Sequence, residues 1–456
     1  MEKLSNARDG LSVPAGRWAR LGRLGVMATT VAGGMLAEGA RQLTKGSVPS
    51  IGDMLLTPAN ARRVANELSR LRGAAMKVGQ LLSMDAGDLI PPALAEMLSR
   101  LRNDAVSMPM SQLVSVLEQE WGTDWSRHFQ RFTFTPAAAA SIGQVHYAIT
   151  ANGLPVAIKV QYPGVRESID SDVDNVATLL RVSGLLPASL DIKSILNEAK
   201  QQLHAEADYQ REAEWLERYA KNLGQKSDFL IPRPFSDLTT DRVLTMTWLD
   251  GAPVESLVNE DPVLRNRVAH ELFDLALKEI FEFRAVQSDP NFANYRFDPA
   301  TQRVILLDFG ATRALPRKMT EGYRELMIAA LQKNRSKIYD AATQIGYFSM
   351  TMNEQQIEWV LDLFQLACEP LCHEGLYDFG TSTLPKRMHE AGMALALDRD
   401  FWHIPPIDAL FLHRKLAGIY LLAARLNARI NIADLARPYL TADKSASSAV
   451  AGSWPV

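Results

Sequence analysis

The chain has 456 residues, of which 47% are apolar and 22% charged, and its formal net charge is −3. That length suits two or three domains around a large core, and the charge balance gives no global electrostatic case for nucleic acid. Only two cysteines occur, Cys368 and Cys372 in FQLACEPLC. Such scarcity fits a reducing compartment, and without a second pair the two read as thiols in or near a helical core rather than a metal or redox site.

Residues 1–50 are basic: Lys3, Arg8, Arg17, Arg20, Arg23, Arg41 and Lys45 oppose only Glu2, Asp9 and Glu38. The apolar stretch from Leu24 is broken by Gly33, Gly34 and Glu38, too short for a spanning helix of about 20 apolar residues. A partly ordered segment is expected there, and no signal peptide. From 51 to 130 the pattern is helical. Val64, Leu68, Leu71, Ala75, Val78 and Leu82 recur at three- and four-residue steps, ALAEMLSRLRN starts a second helix, and MSQLVSVLEQEWG follows Pro109 as a third.

Strands begin near Phe132. RFTFTP, GQVHYAIT and PVAIKVQY, with Asn152-Gly153 between the last two, predict an antiparallel meander. Helix resumes from Val165 to about Tyr219 with an interruption near Gly184–Pro187, and residues 231–251 read as two strands and a connector. From 250 to 440 the chain is mostly helical, broken by strands at NYRF and RVILLDFG. Residues 441–456 are expected to be a disordered tail.

The most informative stretches are QSDPNFANY and VILLDFGATR. Asp289 and Asn294 stand in a D-x-x-x-x-N spacing, and Asp308-Phe309-Gly310 begins fourteen residues later. Kinase-like folds use that order to orient a nucleophile and hold metal on a nucleotide. Upstream, a turn of small residues runs from Ala137 to Val145 where a glycine-rich phosphate loop would lie. Gly143 and Val145 match that template, while Ala138 and Ala140 occupy its two other glycine positions, with Ala139 and Ser141 beside them in the turn. Added methyls narrow the backbone options, so altered nucleotide selectivity or slow transfer is expected. Lys159, in the apolar strand VAIK, is the expected phosphate ligand. Its carboxylate partner should come from the acid-rich stretch at 203–219, where Glu206, Asp208 and Glu212 are candidates and Asp208 and Glu212 would share one helical face. Lys77 and Gln80 sit three apart on the first strong helix.

Taken in order, MKVGQLLSMD, PAAAASIGQVHYA, VAIKVQYPGV, EADYQREAEW, QSDPNFANY, LLDFGATR and LHRKLAG resemble the UbiB family of atypical protein-kinase-like proteins, the AarF-domain or ADCK group, in its coenzyme Q branch. The resemblance covers about residues 15–435. It implies an α+β, two-lobed protein-kinase-like fold. The helical K-x-G-Q extension (51–130) packs over the active site, the N-lobe takes 131–249, and a mostly helical C-lobe takes 250–440. Lys77, Gly79 and Gln80 would form the K-x-G-Q motif, and Glu206 and Asp208 the E-x-D carboxylates engaging Lys77. Glu212 would pair with Lys159. Asp289 would be the catalytic-loop acid, with Asn294 and Asp308 the Mg²⁺ ligands around ATP or ADP held between lobes.

The resemblance implies an ATPase supporting ubiquinone biosynthesis, cytoplasmic or peripheral on the inner face of a membrane, with an anionic lipid surface and quinone-biosynthesis lipids or enzymes as partners. Oligomeric state is left open. Gln287-Ser288 stands where His-Arg precedes the catalytic Asp in typical kinases, and no A-P-E segment follows the DFG, so a protein substrate in trans is not expected. The alternatives are a small-molecule or lipid phosphotransferase of the aminoglycoside or choline kinase type, and a non-catalytic scaffold switched by nucleotide.

Overall fold

The computed structural model describes residues 73–74, 77–78, 108–182, 192–224, 227–289, 291–348, 352–396 and 405–441. Gly79, Gln80, the basic segment 1–50, the helix expected at ALAEMLSRLRN, the break near 184–187 and the tail after 441 lie outside the described residues. The chain divides into two compact units, Met1–Glu217 with Arg233–Trp248, and Arg218–Pro232 with Leu249–Val456.

The first unit is built on one antiparallel sheet. Strands β1 (Phe129–Phe132), β3 (Gly143–Thr150), β4 (Pro155–Gln161) and β6 (Val243–Thr247) lie in that order, and β2 (Ala138–Ala139) pairs with β3. The first strand starts three residues earlier than the sequence pattern suggested. β4 is buried from Val156 through Gln161, which explains its run of apolar residues: both of its faces are covered. One side of the unit closes over Leu113, Val116 and Leu117 of helix α1 (Met110–Trp121), with Trp125, Val156, Ile158 and Val160 in the same cluster.

Helices α2 (Val165–Val182), α3 (Ile192–Glu206) and α4 (Tyr209–Leu223) follow β4. The stretch at 203–219 is therefore not one helix. It breaks at Ala207-Asp208, and an Asp208 carboxylate oxygen accepts from the Arg211 N–H at 3.0 Å while its carbonyl accepts from Glu212 N–H. Asp208 is a helix cap. An aspartate competes well for the orphan N–H groups of a first turn, and that outweighs continuing the helix through it. Asp208 and Glu212 consequently do not form the like-charged pair expected on one helical face.

The second unit carries a four-stranded sheet ordered β5 (Phe229–Leu230), β10 (Arg303–Leu306), β9 (Tyr295–Asp298), β7 (Ala252–Pro253), and the short pair β8 (Ala285–Gln287) with β11 (Thr312–Ala314). Helix α5 (Pro262–Lys278) is capped by Asp261 and opens with proline, then widens into a π-helical turn over Glu279–Phe283. Arg284 ends that turn in the left-handed region (φ 48°), which redirects the chain into β8. After β11 come α6 (Arg317–Leu331), α7 (Arg335–Ile345), α8 (Glu354–Ala367), α9 (Glu369–Cys372), α10 (Leu384–Ala396), α11 (Ile407–Arg425) and α12 (Ile432–Thr441). The helix read through FQLACEPLC breaks at Cys368, two residues before Pro370. Both thiols are free, and burial pushes Cys368 up to about 12.

Candidate functional site

In the first unit the strand register sets the chemistry. Lys159 faces Val145 on one side and Leu244 on the other in the ladder. Its side chain is buried, and Nζ donates to both Glu212 oxygens, at 2.9 and 2.8 Å, with the Tyr209 ring 5.2 Å away. Glu212 sits in the first turn of α4, where the helix dipole favours a carboxylate. An ammonium fixed by a bidentate carboxylate inside a strand cannot wander into solvent. It presents one aimed positive charge, which suits a phosphate ligand.

The alanine-rich turn is a tight hairpin. Ala138 pairs with Val145 and Ala139 with Gln144, the Ala137 N–H donates to Val145 O, and the Ala140 N–H donates to Gly143 O at 2.9 Å. Two of the amides that a phosphate loop would offer are thus spent inside the turn. Gly143, the match to the last template glycine, has a packing reason: a Cβ there would stand 2.3 Å from the Val160 carbonyl oxygen. Beyond the turn, Ser141 Oγ donates to Glu206 Oε2 at 2.8 Å, and Glu206 Oε1 takes Lys77 in an ion pair. Glu206 therefore ties Lys77 to the alanine-rich turn. Gly73 lies against the same place, where an added Cβ would be 3.1 Å from the Ser141 carbonyl. Of the two E-x-D acids, Glu206 meets Lys77, and Asp208 serves α4.

In the second unit, β8 and β10 deliver the remaining residues. Asn294 Nδ2 donates to Asp289 Oδ2 at 2.9 Å. The Asn294 carbonyl accepts from the Leu307 N–H at 3.1 Å, one residue before Asp308, and Asp308 Oδ1 accepts from the Gly310 N–H at 2.9 Å. Asn294 and Asp308 line one small cavity of about 10 Å³. Phe309 is buried with its ring edge-on to Tyr219, centroids 4.7 Å apart. The Asn294 amide points its nitrogen at Asp289, which leaves its oxygen for a cation. One amide oxygen and one carboxylate are the hard donors that Mg²⁺ takes from a protein when phosphates supply the rest. Among the described residues no cluster of three or more His, Cys, Asp or Glu could hold a metal unaided.

The same cavity is lined by a buried charged group to which the sequence assigned no role. Glu279, the first residue of the π-helical turn, is buried and accepts from Tyr219 Oη at 3.0 Å, and its Oε2 lies 3.1 Å from Lys415 Nζ. Burial alone would push the Lys415 ammonium down, but Glu279 and Tyr295 outweigh it and hold it above the ordinary lysine range. Burial raises Glu279, and the Lys415 charge only partly offsets that. Next to Lys415, Arg414 Nη2 lies 3.3 Å from Asp289 Oδ1. A signal was available: LHRKLAG sets two cations in ALFLHRKLAGIYLLAA, a helix otherwise apolar nearly all round, and such charges need buried partners.

The match to known proteins follows this geometry. The model of the ABC1 atypical kinase-like domain matches residues 100–342. The chain is 38% identical to the rat (Rattus norvegicus) atypical kinase COQ8B, mitochondrial, over 95% of this chain and 82% of that protein. It is 36% identical to the Saccharomyces cerevisiae atypical kinase COQ8, mitochondrial, over 95% and 87%. The chain belongs to the UbiB/COQ8 family of atypical kinase-like proteins. The solved complex of Rv3197 with erythromycin from Mycobacterium tuberculosis superposes with a TM-score of 0.56 at 24% identity, covering 83% of this chain and 95% of that one, a likeness of fold. Family and fold thus agree with the kinase-like α+β expectation. Within this UbiB/COQ8 chain, no helix among the described residues is long and apolar enough to cross a membrane.

Proposed function

We propose that the protein is an ATPase of the atypical-kinase type that supports coenzyme Q biosynthesis, using Mg²⁺ and ATP or ADP and acting on or beside lipid intermediates at a membrane surface. Lys159, steered by Glu212, engages nucleotide phosphates, aided by the turn at Ala138, Ala139, Ala140 and Ser141 with Gly143 and Val145 as its base. Asn294 and Asp308 would hold the metal, which when bound neutralises charge building on the phosphoryl oxygens. Asp289 orients an acceptor hydroxyl or water and takes its proton.

The observation that carries this reading is the Asp289–Asn294 hydrogen bond at 2.9 Å, with Asn294 also tied through its carbonyl to the residue before Asp308. A module that only bound nucleotide would have no use for an acid so tightly oriented beside a metal-type amide. The retained Lys77–Glu206–Ser141 linkage supports restraint rather than open protein-kinase activity, because it ties the turn that would cover phosphates to the extension. The family names support the coenzyme Q role, and the basic segment at 1–50 supports a peripheral contact with anionic lipid at roughly 1 kcal/mol per basic residue.

Steady-state ATP hydrolysis by purified protein, with and without anionic liposomes and phenolic lipid mimics, tests the proposal in wild type and Asp308→Asn. Turnover that rises with liposomes and collapses in the variant is expected. Equal turnover in the two proteins would sink the enzymatic reading.

A further inference from the structure

The segment that presents Asp289 has no cation of its own. From Ala285 to Tyr295 the sequence reads AVQSDPNFANY, without lysine or arginine. A loop acid beside transferring phosphate needs its carboxylate held in one orientation, and the Asn294 amide contacts its Oδ2. The second oxygen is met from far along the chain: Arg414 Nη2 lies 3.3 Å from Asp289 Oδ1, with side-chain exposures of 14% and 26%. Asp289 is thus gripped from two sides, Oδ2 by Asn294 and Oδ1 by Arg414.

The residue next to Arg414 anchors the same segment from beneath. Lys415 Nζ contacts both Glu279 oxygens, at 3.3 and 3.1 Å, and lies 3.5 Å from Gln287 Oε1. Glu279 Oε1 in turn accepts from the Gln287 N–H at 3.4 Å, and Ser288 Oγ donates to the Ala311 carbonyl at 2.8 Å. Neighbouring residues on a helix diverge by about 100°. On α11 that divergence lets Arg414 reach the half-buried carboxylate while Lys415 turns into the core at Glu279. The π-helical turn is what sets Glu279 at this spot, and such turns recur at functional sites.

We propose that Arg414 is a positioning residue for Asp289, held in register by Lys415, and that these two neighbours supply the cation the 285–295 segment lacks. The inference rests on the reading of Asp289 as the group that orients the acceptor. Arg414 acts through Asp289; its guanidinium fixes which carboxylate oxygen faces the acceptor. The Nη2–Oδ1 contact is an ion pair that an ammonium can also make, so a lysine at 414 should substitute in part.

The test compares Mg·ATP turnover and ADP affinity in wild type, Asp289→Asn, Arg414→Ala, Arg414→Lys and the Asp289→Asn/Arg414→Ala double variant. Arg414→Ala should lower kcat on the order of 10- to 100-fold, as other orienting partners do. The KM for ATP and the Kd of ADP should stay within roughly 3-fold, the mark of an interaction used only in turnover. Arg414→Lys should recover much of the loss. The double variant should be no slower than Asp289→Asn alone, because both changes remove one function. Wild-type kcat in Arg414→Ala while Asp289→Asn is inactive would overturn the proposal and leave the reading of Asp289 standing. Undiminished turnover in Asp289→Asn would overturn both. An ADP affinity that falls as far as kcat would assign Arg414 to nucleotide binding instead and overturn the positioning role.

Discussion

The Lys159–Glu212 pair of the first unit and the Lys415–Glu279 pair of the second are both buried, and the two are built differently. Lys159 grips Glu212 with two short bonds, on a strand against an aromatic ring, and its side chain keeps 9% of its surface open. Lys415 and Glu279 are 2% and 1% exposed and sit among Tyr219, Gln287 and Tyr295, with longer contacts shared over several partners. A cation meant to meet a ligand needs one firm anchor and a way out. A cation meant to hold a segment in place needs many weak anchors and none. The first arrangement suits exchange with phosphate; the second suits permanence.

Substitutions at the two lysines should separate these roles most sharply. Lys415→Met leaves the Glu279 carboxylate buried without its counter-charge and should cost about 3–5 kcal/mol of stability, read by denaturant or thermal unfolding. Lys159→Met strands Glu212, which is as buried as Glu279, and should in addition remove most of the turnover. Undiminished turnover in Lys159→Met would erase the distinction.

Gly143→Ala should come next, at about 1–3 kcal/mol, because its methyl would meet the Val160 carbonyl and strand backbone cannot rotate aside as a side chain can. A variant as stable as wild type would show that the glycine serves the ligand alone.

The pH dependence distinguishes the units further. Burial pushes His413 down to about 4, between the hydroxyls of Tyr323 and Tyr347 at 2.8 and 3.0 Å. The unfolded chain takes a proton on this histidine near pH 6.5 and the folded chain only near 4, so acidification across that window favours unfolding. Stability should fall by up to about 1.4 kcal/mol per pH unit from 6.5 toward 4, with this contribution constant above and below. His413→Gln should flatten that slope; an unchanged slope would place the titration elsewhere. The smallest effect is expected at the turn, where Ala140→Gly should shift the ratio of ATP to ADP affinity by a few-fold, under about 1 kcal/mol. Unchanged affinities would remove the alanine run from nucleotide selection.

The sequence made the scaffold of the site readable because its parts carry strong local patterns. VAIK is apolar around one lysine, D-x-x-x-x-N and DFG bracket a strand pair, and Asn152-Gly153 turns a hairpin. Asp208 was misplaced because an E-x-D run in an acid-rich helix gives no sign that one acid will cap and break the helix. Gly143 was matched to a phosphate template for a residue type that close strand packing also demands, and pattern alone cannot separate the two. Arg414 and Lys415 were quoted within LHRKLAG without a role, because their partners lie 125 and 136 residues away and the contacts exist only after folding.

The central claim is that Asn294 and Asp308 hold a metal through which nucleotide binds. The direct test is the Kd of ADP as a function of Mg²⁺ concentration in wild type and Asp308→Asn. ADP affinity in wild type should rise with Mg²⁺, and the variant's affinity should be weaker and flat across the titration. An Mg²⁺ dependence retained in full by Asp308→Asn would contradict it.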